Sequence, residues 1–423
     1  MTAFAKIFRL RQKFDTACVA DVAAGVRAEL GRLRLEERVE PGQSVAITAG
    51  SRGVTNYGEI VRAIVDFVKE IRGVPFIVPA MGSHGGGTAQ GQRQLIESLG
   101  ITEAAVGCPI RSSMETVVVC HTSQGVPVHF DRAAFEADHV LVFNRVKPHT
   151  MFAGDIQSGL MKMMLIGLGK HEGAAIYHRA IREHGFAEII GSVSGEVFAK
   201  CNILAGLAVV ENSLDKTAAI KAVLPDEFEN RERELLTLAT RLMPRLPFDD
   251  VDVLLVNRIG KEISGTGMDT NVIGRKFDDH VAVEGERPRV RRIAVRSLSV
   301  ATHGNGVGIG IAEFCRSRAI RATNFEITRI NAATAGHESA AVPPPDLESD
   351  REVLTAAFAS LAPLEASKAK LVWIEDTKHL AELECSQAYL PEVEGRDDIE
   401  VLEGLRELTF DADGNLPDIG ANG

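Results

Sequence analysis

The chain has 423 residues, enough for two or three domains that each bury a full core, and it is 45% hydrophobic and 25% charged, as a soluble globular protein is. Its net charge of −11 (47 basic against 58 acidic residues) excludes any overall electrostatic pull toward nucleic acid or an anionic membrane. Six cysteines, at 18, 108, 120, 201, 315 and 385, lie scattered among apolar neighbours without CxxC spacing, which excludes a disulfide framework or a zinc knuckle and reads as reduced, buried thiols.

In chain order, short β-branched runs alternate with amphipathic stretches. Strands are predicted at 44–48 (SVAIT), 74–80 (VPFIVPA), 116–120 (TVVVC), 139–143 (HVLVF), 203–210 (ILAGLAVV), 251–257 (VDVLLVN), 292–299 (RIAVRSLS) and 371–375 (LVWIE). Between the first two lies YGEIVRAIVDFVKEI, with apolar residues at 60, 61, 64, 65, 68 and 71, the i, i+3/i+4 spacing of a surface helix. This alternation predicts an α/β fold of two α/β domains with largely parallel sheets and an active site in the interdomain cleft. The segment RLMPRLPFDD (241–250), with two prolines between a charged helix and a new strand, separates an N-terminal α/β domain over 1–247 from a C-terminal one over 248–423. RVRRIAVR (289–296) reads as a solvated strand face from which one arginine could meet an anionic substrate. AAVPPPDLESD (340–350) reads as a loop ending at a helix N-cap, and DADGNLPDIGANG as a flexible tail. The opening MTAFAKIFRLRQKF has no uninterrupted apolar core of a signal peptide, and no apolar run reaches the roughly 18 residues of a membrane span, so a cytoplasmic protein is expected.

Ligands of open α/β sheets bind beyond the carboxyl ends of the strands. There the chain places Ser51 and Arg52 (SVAITAGSRG), His84 in a glycine loop (FIVPAMGSHGGGTAQGQ) with Thr88 as the N-cap of the next helix, Asn144, Lys147 and His149 (HVLVFNRVKPHT), and Lys261 (VDVLLVNRIGKEISGTGMD). The glycine loop is neither a Walker A nor a GxGxxG loop; it is compatible with an anion near crowded backbone amides and with a plain tight turn. Lys162 sits in an apolar run, where an unpaired ammonium is costly unless it snorkels, loses its charge or is chemically used. Sixteen residues separate it from His178, roughly 24 Å along a continuous helix, but GLGKHEG interrupts the run and lets the chain turn.

Arg52 in SRG, His84 in GSHGGG, His149 in KPHTMFAG, Lys162 in SGLMK and His178 in YH follow the order of the nickel-dependent lactate racemase family, which this constellation resembles over most of its first 250 residues. The resemblance implies a nickel-pincer nucleotide (pyridinium-3,5-bisthiocarboxylic acid mononucleotide nickel) tethered to Lys162 as a thioamide, with His178 as the protein's nickel ligand and Ser158 and Gly159 as further cofactor-binding residues. His84 and His149 would form an acid/base pair on opposite faces of the substrate, and Arg52 would hold its carboxylate. The implied activity is a racemase or epimerase, an isomerase that inverts C2 of a 2-hydroxy acid by reversible hydride transfer to the cofactor, and cofactor-synthesis proteins would load it. A tethered lysine carries no charge, which would resolve the paradox of Lys162.

The chain departs from the family pattern at Ala49, where an acidic residue is usual, and in three extra residues around 155–157. Lys261 is the stand-in for the family's substrate-pocket lysine, equally readable as a surface lysine; Asp269, His303 and Asp376 are further candidates for that pocket. Two other readings stay open: an enzyme binding a divalent metal or free nucleotide through His84, His149 and His178 with Lys162 unmodified, and a non-catalytic anion-binding protein. The expected partners are a small 2-hydroxy acid and the loading proteins, with neither nucleic acid nor membrane.

Overall fold

The computed structural model describes residues 4–51 and 53–419. They divide into a central unit, Thr16–Met243, and a terminal unit in which Pro244 onward is joined by the chain start up to Asp15. Both are α/β.

The central unit is built on a five-stranded sheet in the spatial order Val74–Pro79, Ser44–Ala49, His139–Arg145, Ile203–Glu211, Thr217–Val223. The first four strands are parallel and the last closes an antiparallel hairpin. Because successive strand residues point to opposite faces, these strands feed two separate cores. Ala46, Val78, Val140, Val142 and Ala208 pack on one side, against the helices Phe186–Lys200 and Phe228–Leu242. Val45, Ile47, Ile77, Leu141 and Leu207 pack on the other, against Val22–Arg32 and Tyr57–Glu70. A sheet covered on both faces needs near-continuous apolar strands, as these are.

The terminal unit holds an eight-stranded sheet in the order Asp346–Leu347, Phe314–Arg316, Arg289–Leu298, Asp250–Ile259, Leu371–Ile374, Glu382–Ser386, Ile7–Gln12, Ile399–Arg406. Its first five strands are parallel and the remainder antiparallel. Ile7–Gln12 thus completes this sheet, so the expected first domain of 1–247 gives up its opening segment; strand partners are set by the sheet and not by the strand's own residues.

Two smaller expectations change as well. In RVRRIAVR, Arg289 and Arg291 are solvated and pair with Asp250 and Asp252, but Arg296 is fully buried and forms a two-pronged ion pair with Asp350 at 2.7 and 3.0 Å, because its strand lies between two others with both faces covered. The same pair ties down the tail: the Leu416 amide donates to Asp350 Oδ2 at 2.9 Å and the Leu416 carbonyl accepts from Arg296 at 2.6 Å, so this part of the expected flexible segment is docked. Ser349 caps the following helix with Glu352 answering in a capping box, as the loop reading requires. Among the described residues no helix is long and apolar enough to cross a membrane. The six cysteines carry free thiols, four of them buried, Cys120 half-buried and Cys18 exposed.

Candidate functional site

In the central sheet the strand order reverses at Ser44–Ala49, whose chain successor Val74–Pro79 lies on one side while His139–Arg145 lies on the other. All three are parallel, so their carboxyl ends share one edge, and a reversal of this kind opens a crevice there. The loops leaving that edge carry Ser51, His84 and His149. Arg52, expected to hold a carboxylate, lies outside the described residues. A helical segment crosses the crevice: Asn144 Nδ2 donates to the Gly159 carbonyl at 2.7 Å, and a Cβ on Gly50 would come within 3.2 Å of Met163 Cε.

That segment begins as the single turn Gly159–Lys162, widens into a π-turn over Met163–Gly167 and restarts as the helix Lys170–His184, with Lys170 in the left-handed region at φ 55°. Ser158 and Gly159 both have local partners. The Ser158 hydroxyl accepts from the Lys147 amide (2.8 Å) and donates to the Lys147 carbonyl (2.6 Å), stapling the His149 loop to the start of the turn. Gly159, at φ 84°, lies against the carboxyl of Glu232, whose Oε2 accepts from the Met161 amide at 3.0 Å. Glu232 is buried, and burial pushes its pKa up to about 8 against the pull of the Met161 and Leu160 amides. This carboxyl was not anticipated, and it fastens the turn that carries Lys162.

The Phe152 ring gathers three of the expected residues. It stacks on the His149 imidazole with centroids 4.2 Å apart and lies 6.5 Å from that of His178, while Lys162 Nζ sits 5.0 Å from its centroid. Its other face stacks on Phe186 at 4.3 Å. Lys162, His149 and His178 are each half-buried. Burial, then the charges of Lys162 and Arg182, push His178 below the usual histidine range, so its ring is neutral at physiological pH and keeps a lone pair for a ligand. His149 Nδ1 accepts from the Met151 (3.0 Å) and Phe152 (3.1 Å) amides, which favours the tautomer with its proton on Nε2. The helix interruption does what its sequence suggests: Lys162 and His178 meet on one ring.

His84 stands on the neighbouring loop, exposed, with Nδ1 hydrogen-bonded to Ser51 Oγ. Gly85, Gly86 and Gly87 are all left-handed (φ 64°, 68°, 63°), a run that side chains would oppose, and Thr88 caps the next helix by accepting from Gly91 N at 3.1 Å. The loop touches the same crossing segment: the Gly82 amide donates to the Gly167 carbonyl, and a Cβ on Gly87 would meet the His171 ring at 3.2 Å. Beneath it, Gln92 donates from Nε2 to the carbonyls of Gly82 (2.8 Å) and His84 (3.3 Å). Buried Lys170 donates to the Pro79 carbonyl (2.6 Å) and Gln92 Oε1 (3.2 Å) and pairs with buried Asp131 at 3.1 Å. Burial disfavours both charges, lowering the pKa of Lys170 and raising that of Asp131.

In the terminal unit, Lys261 follows Asp250–Ile259; its Nζ donates to the Gly265 carbonyl at 3.2 Å and its amide to Thr302 Oγ1 at 3.1 Å. Asp269 caps a short helix, and its amide donates to Thr377 Oγ1 at 2.9 Å. Asp376 is buried between Arg258 and His379; against the upward push of burial, His379 holds its carboxyl below the usual range. His303 is exposed, left-handed at φ 50°. Among the described residues, no group of three or more His, Cys, Asp or Glu side chains is placed to hold a metal ion.

A family model described as a domain of unknown function, DUF362, matches residues 46–221, the stretch that contains the crevice loops and the segment crossing them. No curated protein matches the chain. Among solved structures, it is similar to the lactate racemase apoprotein from Thermoanaerobacterium thermosaccharolyticum, at 16% sequence identity and a TM-score of 0.48, over 87% of this chain and 83% of that one.

Proposed function

We propose that the protein is an isomerase that inverts the C2 centre of a 2-hydroxy acid, with a nickel-pincer nucleotide anchored on Lys162. The observation that carries the reading is the convergence of Lys162, His178 and His149 on Phe152 at the switch-point edge of the central sheet. The residues fit the group. The lysine amine is half-buried over an aromatic face, where it makes a cation–π contact as the ammonium, and the same place would suit the uncharged nitrogen of a thioamide. His178 offers one neutral imidazole beside it, the single protein donor that a pincer with its own sulfur and carbon donors leaves room for. When bound, the group would supply a hydride acceptor and donor for C2.

The chain's own residues handle the substrate and its hydroxyl proton. His84 and His149 come from two separate strand-end loops, which is what inversion requires, since the hydroxyl must be served from both faces. Ser51 orients His84 through Nδ1, so His84 would exchange protons through Nε2. His149 presents its Nε2 proton while the Met151 and Phe152 amides hold Nδ1; taking up a second proton would require that turn to open. Arg52 would hold the substrate carboxylate, with Ala49 standing where the family usually has an acidic residue.

Intact-mass measurement of protein from cells that make the cofactor tests the reading. The expected result is a nucleotide-sized adduct mapping to the Lys162 peptide and inversion of a 2-hydroxy acid that retains α-deuterium. An unmodified Lys162 in protein that nevertheless inverts the acid, or exchange of the α-deuterium with solvent, would overturn it.

A further inference from the structure

Gln92 and Lys170 touch none of the residues that resemblance singles out except one. Gln92 is fully buried and spends both amide hydrogens on the loop carbonyls of Gly82 and His84, while its Oε1 accepts from Lys170. Lys170 is fully buried too, pinned to the Pro79 carbonyl at the end of the strand that launches the loop. Asp131, from a different part of the chain, supplies the opposite charge. Burying a lysine, an aspartate and a glutamine is costly unless they are partnered, and here the three partner one another and the strand and loop that lead to His84. The loop needs it: three consecutive left-handed glycines have no side chains with which to hold a shape.

We propose that Gln92 and Lys170 are positioning residues for His84, setting the height of its backbone while Ser51 sets the rotation of its ring. This inference rests on the reading of His84 as an acid/base group, but the placement of His84 is measurable without turnover. Gln92→Leu removes both donors. Gln92→Glu retains an acceptor for Lys170 but can give the two carbonyls no hydrogen when ionised and at most one when protonated, so it keeps the buried pair partnered and serves if the first variant does not fold.

The full chain carries ring-labelled histidine, with the His84 signal assigned from His84→Gln. Both variants should move the His84 ring resonance and its titration midpoint and speed exchange of the Gly87 amide, which donates to the His84 carbonyl, at least about tenfold, leaving the His178 resonance in place. On cofactor-loaded enzyme, kcat for inversion should fall at least about tenfold with KM nearly unchanged, because a shifted acid/base group affects the transition state more than binding. A folded variant with the wild-type His84 resonance and Gly87 exchange would overturn the proposal, as would a rise in KM at constant kcat. If wild-type loaded enzyme inverts no 2-hydroxy acid, the proposed activity fails, and the resonance and exchange data alone then decide whether Gln92 positions His84.

Discussion

Gly159→Ala is the sharpest single perturbation of the lysine-bearing turn. Two costs separate cleanly. The first is conformational: at φ 84° an alanine costs about 1–2 kcal/mol relative to glycine. The second is steric, since the new Cβ would overlap Glu232 Oε1 and lie 2.7 Å from its Cδ and 2.9 Å from Val146 Cγ2, where no flexible end can move aside without the carboxyl leaving the Met161 amide. A buried amide stripped of its acceptor costs a further ~1–3 kcal/mol. Gly100→Ala provides the control, because Gly100 has nearly the same φ (87°) and nothing within 4 Å of its Cβ, so it carries the first cost alone. Urea unfolding followed by circular dichroism should therefore show Gly159→Ala less stable than Gly100→Ala by about 1–3 kcal/mol. The single tryptophan, Trp373, lies in the terminal sheet and reports that unit separately. Equal destabilisation by the two variants would refute the claim that Glu232 and Gly159 are locked together.

Glu232 adds a pH dependence with a definite sign. Its folded pKa of about 8 stands above the ordinary 4.5, so its contribution is present in full below pH 4.5 and is lost as pH rises through 8; Glu232→Gln should gain on wild type over that window by on the order of 5 kcal/mol, and a constant difference from pH 5 to 9 would contradict the burial argument. Lys162→Ala removes one of the charges that depress His178, so the His178 midpoint in an NMR titration should move up while staying below the ordinary value because burial remains; no movement would mean that the two do not share a site. Phe152→Leu should cost about 1.5–4 kcal/mol from two lost ring stacks and a cation–π contact, and should abolish the ring-current shift of the His149 resonance; an unmoved His149 signal would show that the stack is absent in solution.

The strands and the crevice loops were legible because their physics is local. All eight predicted strands formed; seven met burial within the two large sheets, and Thr116–His121 formed in a two-stranded hairpin with no residue buried. What stayed hidden was pairing at a distance. Ile7–Gln12 alternates like any strand, and nothing in it names Glu382–Ser386 as its neighbour. Thr217–Val223 is an edge strand rich in alanine, and Pro127–Asp131 is a short hairpin strand that opens on proline and carries a histidine; neither has a clear strand pattern. The buried polar residues were hidden for a different reason, since each sits among charges or glycines that suggest a surface. Yet two carried a signal. In FENRERELLTLATRL the buried residues fall at 228, 232, 235, 236, 239 and 242, so Glu232 occupies the apolar stripe of an otherwise charged helix. In AQGQRQLIES, Gln92 lies one turn before buried Ile96 on the same face. A polar residue in phase with an apolar stripe is a buried group with a task. Lys170 offers no such phase, because it starts its helix from a left-handed residue where no periodicity has begun.

The break that conceals Lys170 also explains how one stretch of chain serves two ends of a site. Along an unbroken helix, Lys162 and His178 would stand roughly 24 Å apart. The π-turn over Met163–Gly167 and the left-handed Lys170 redirect the chain so that both reach Phe152, and such a turn is stable only if the backbone it exposes is held from outside. Glu232 holds it at the beginning through the Met161 amide, and Lys170 holds it at the end through Pro79, Gln92 and Asp131. The two anchors differ in what they join: Glu232 comes from the helix Phe228–Leu242, and Lys170 reaches the strand and loop that lead to His84. A substitution at either anchor should therefore disturb the amine at 162 or the imidazole at 84 separately, as the proposed function would require of an anchoring lysine and an acid/base histidine.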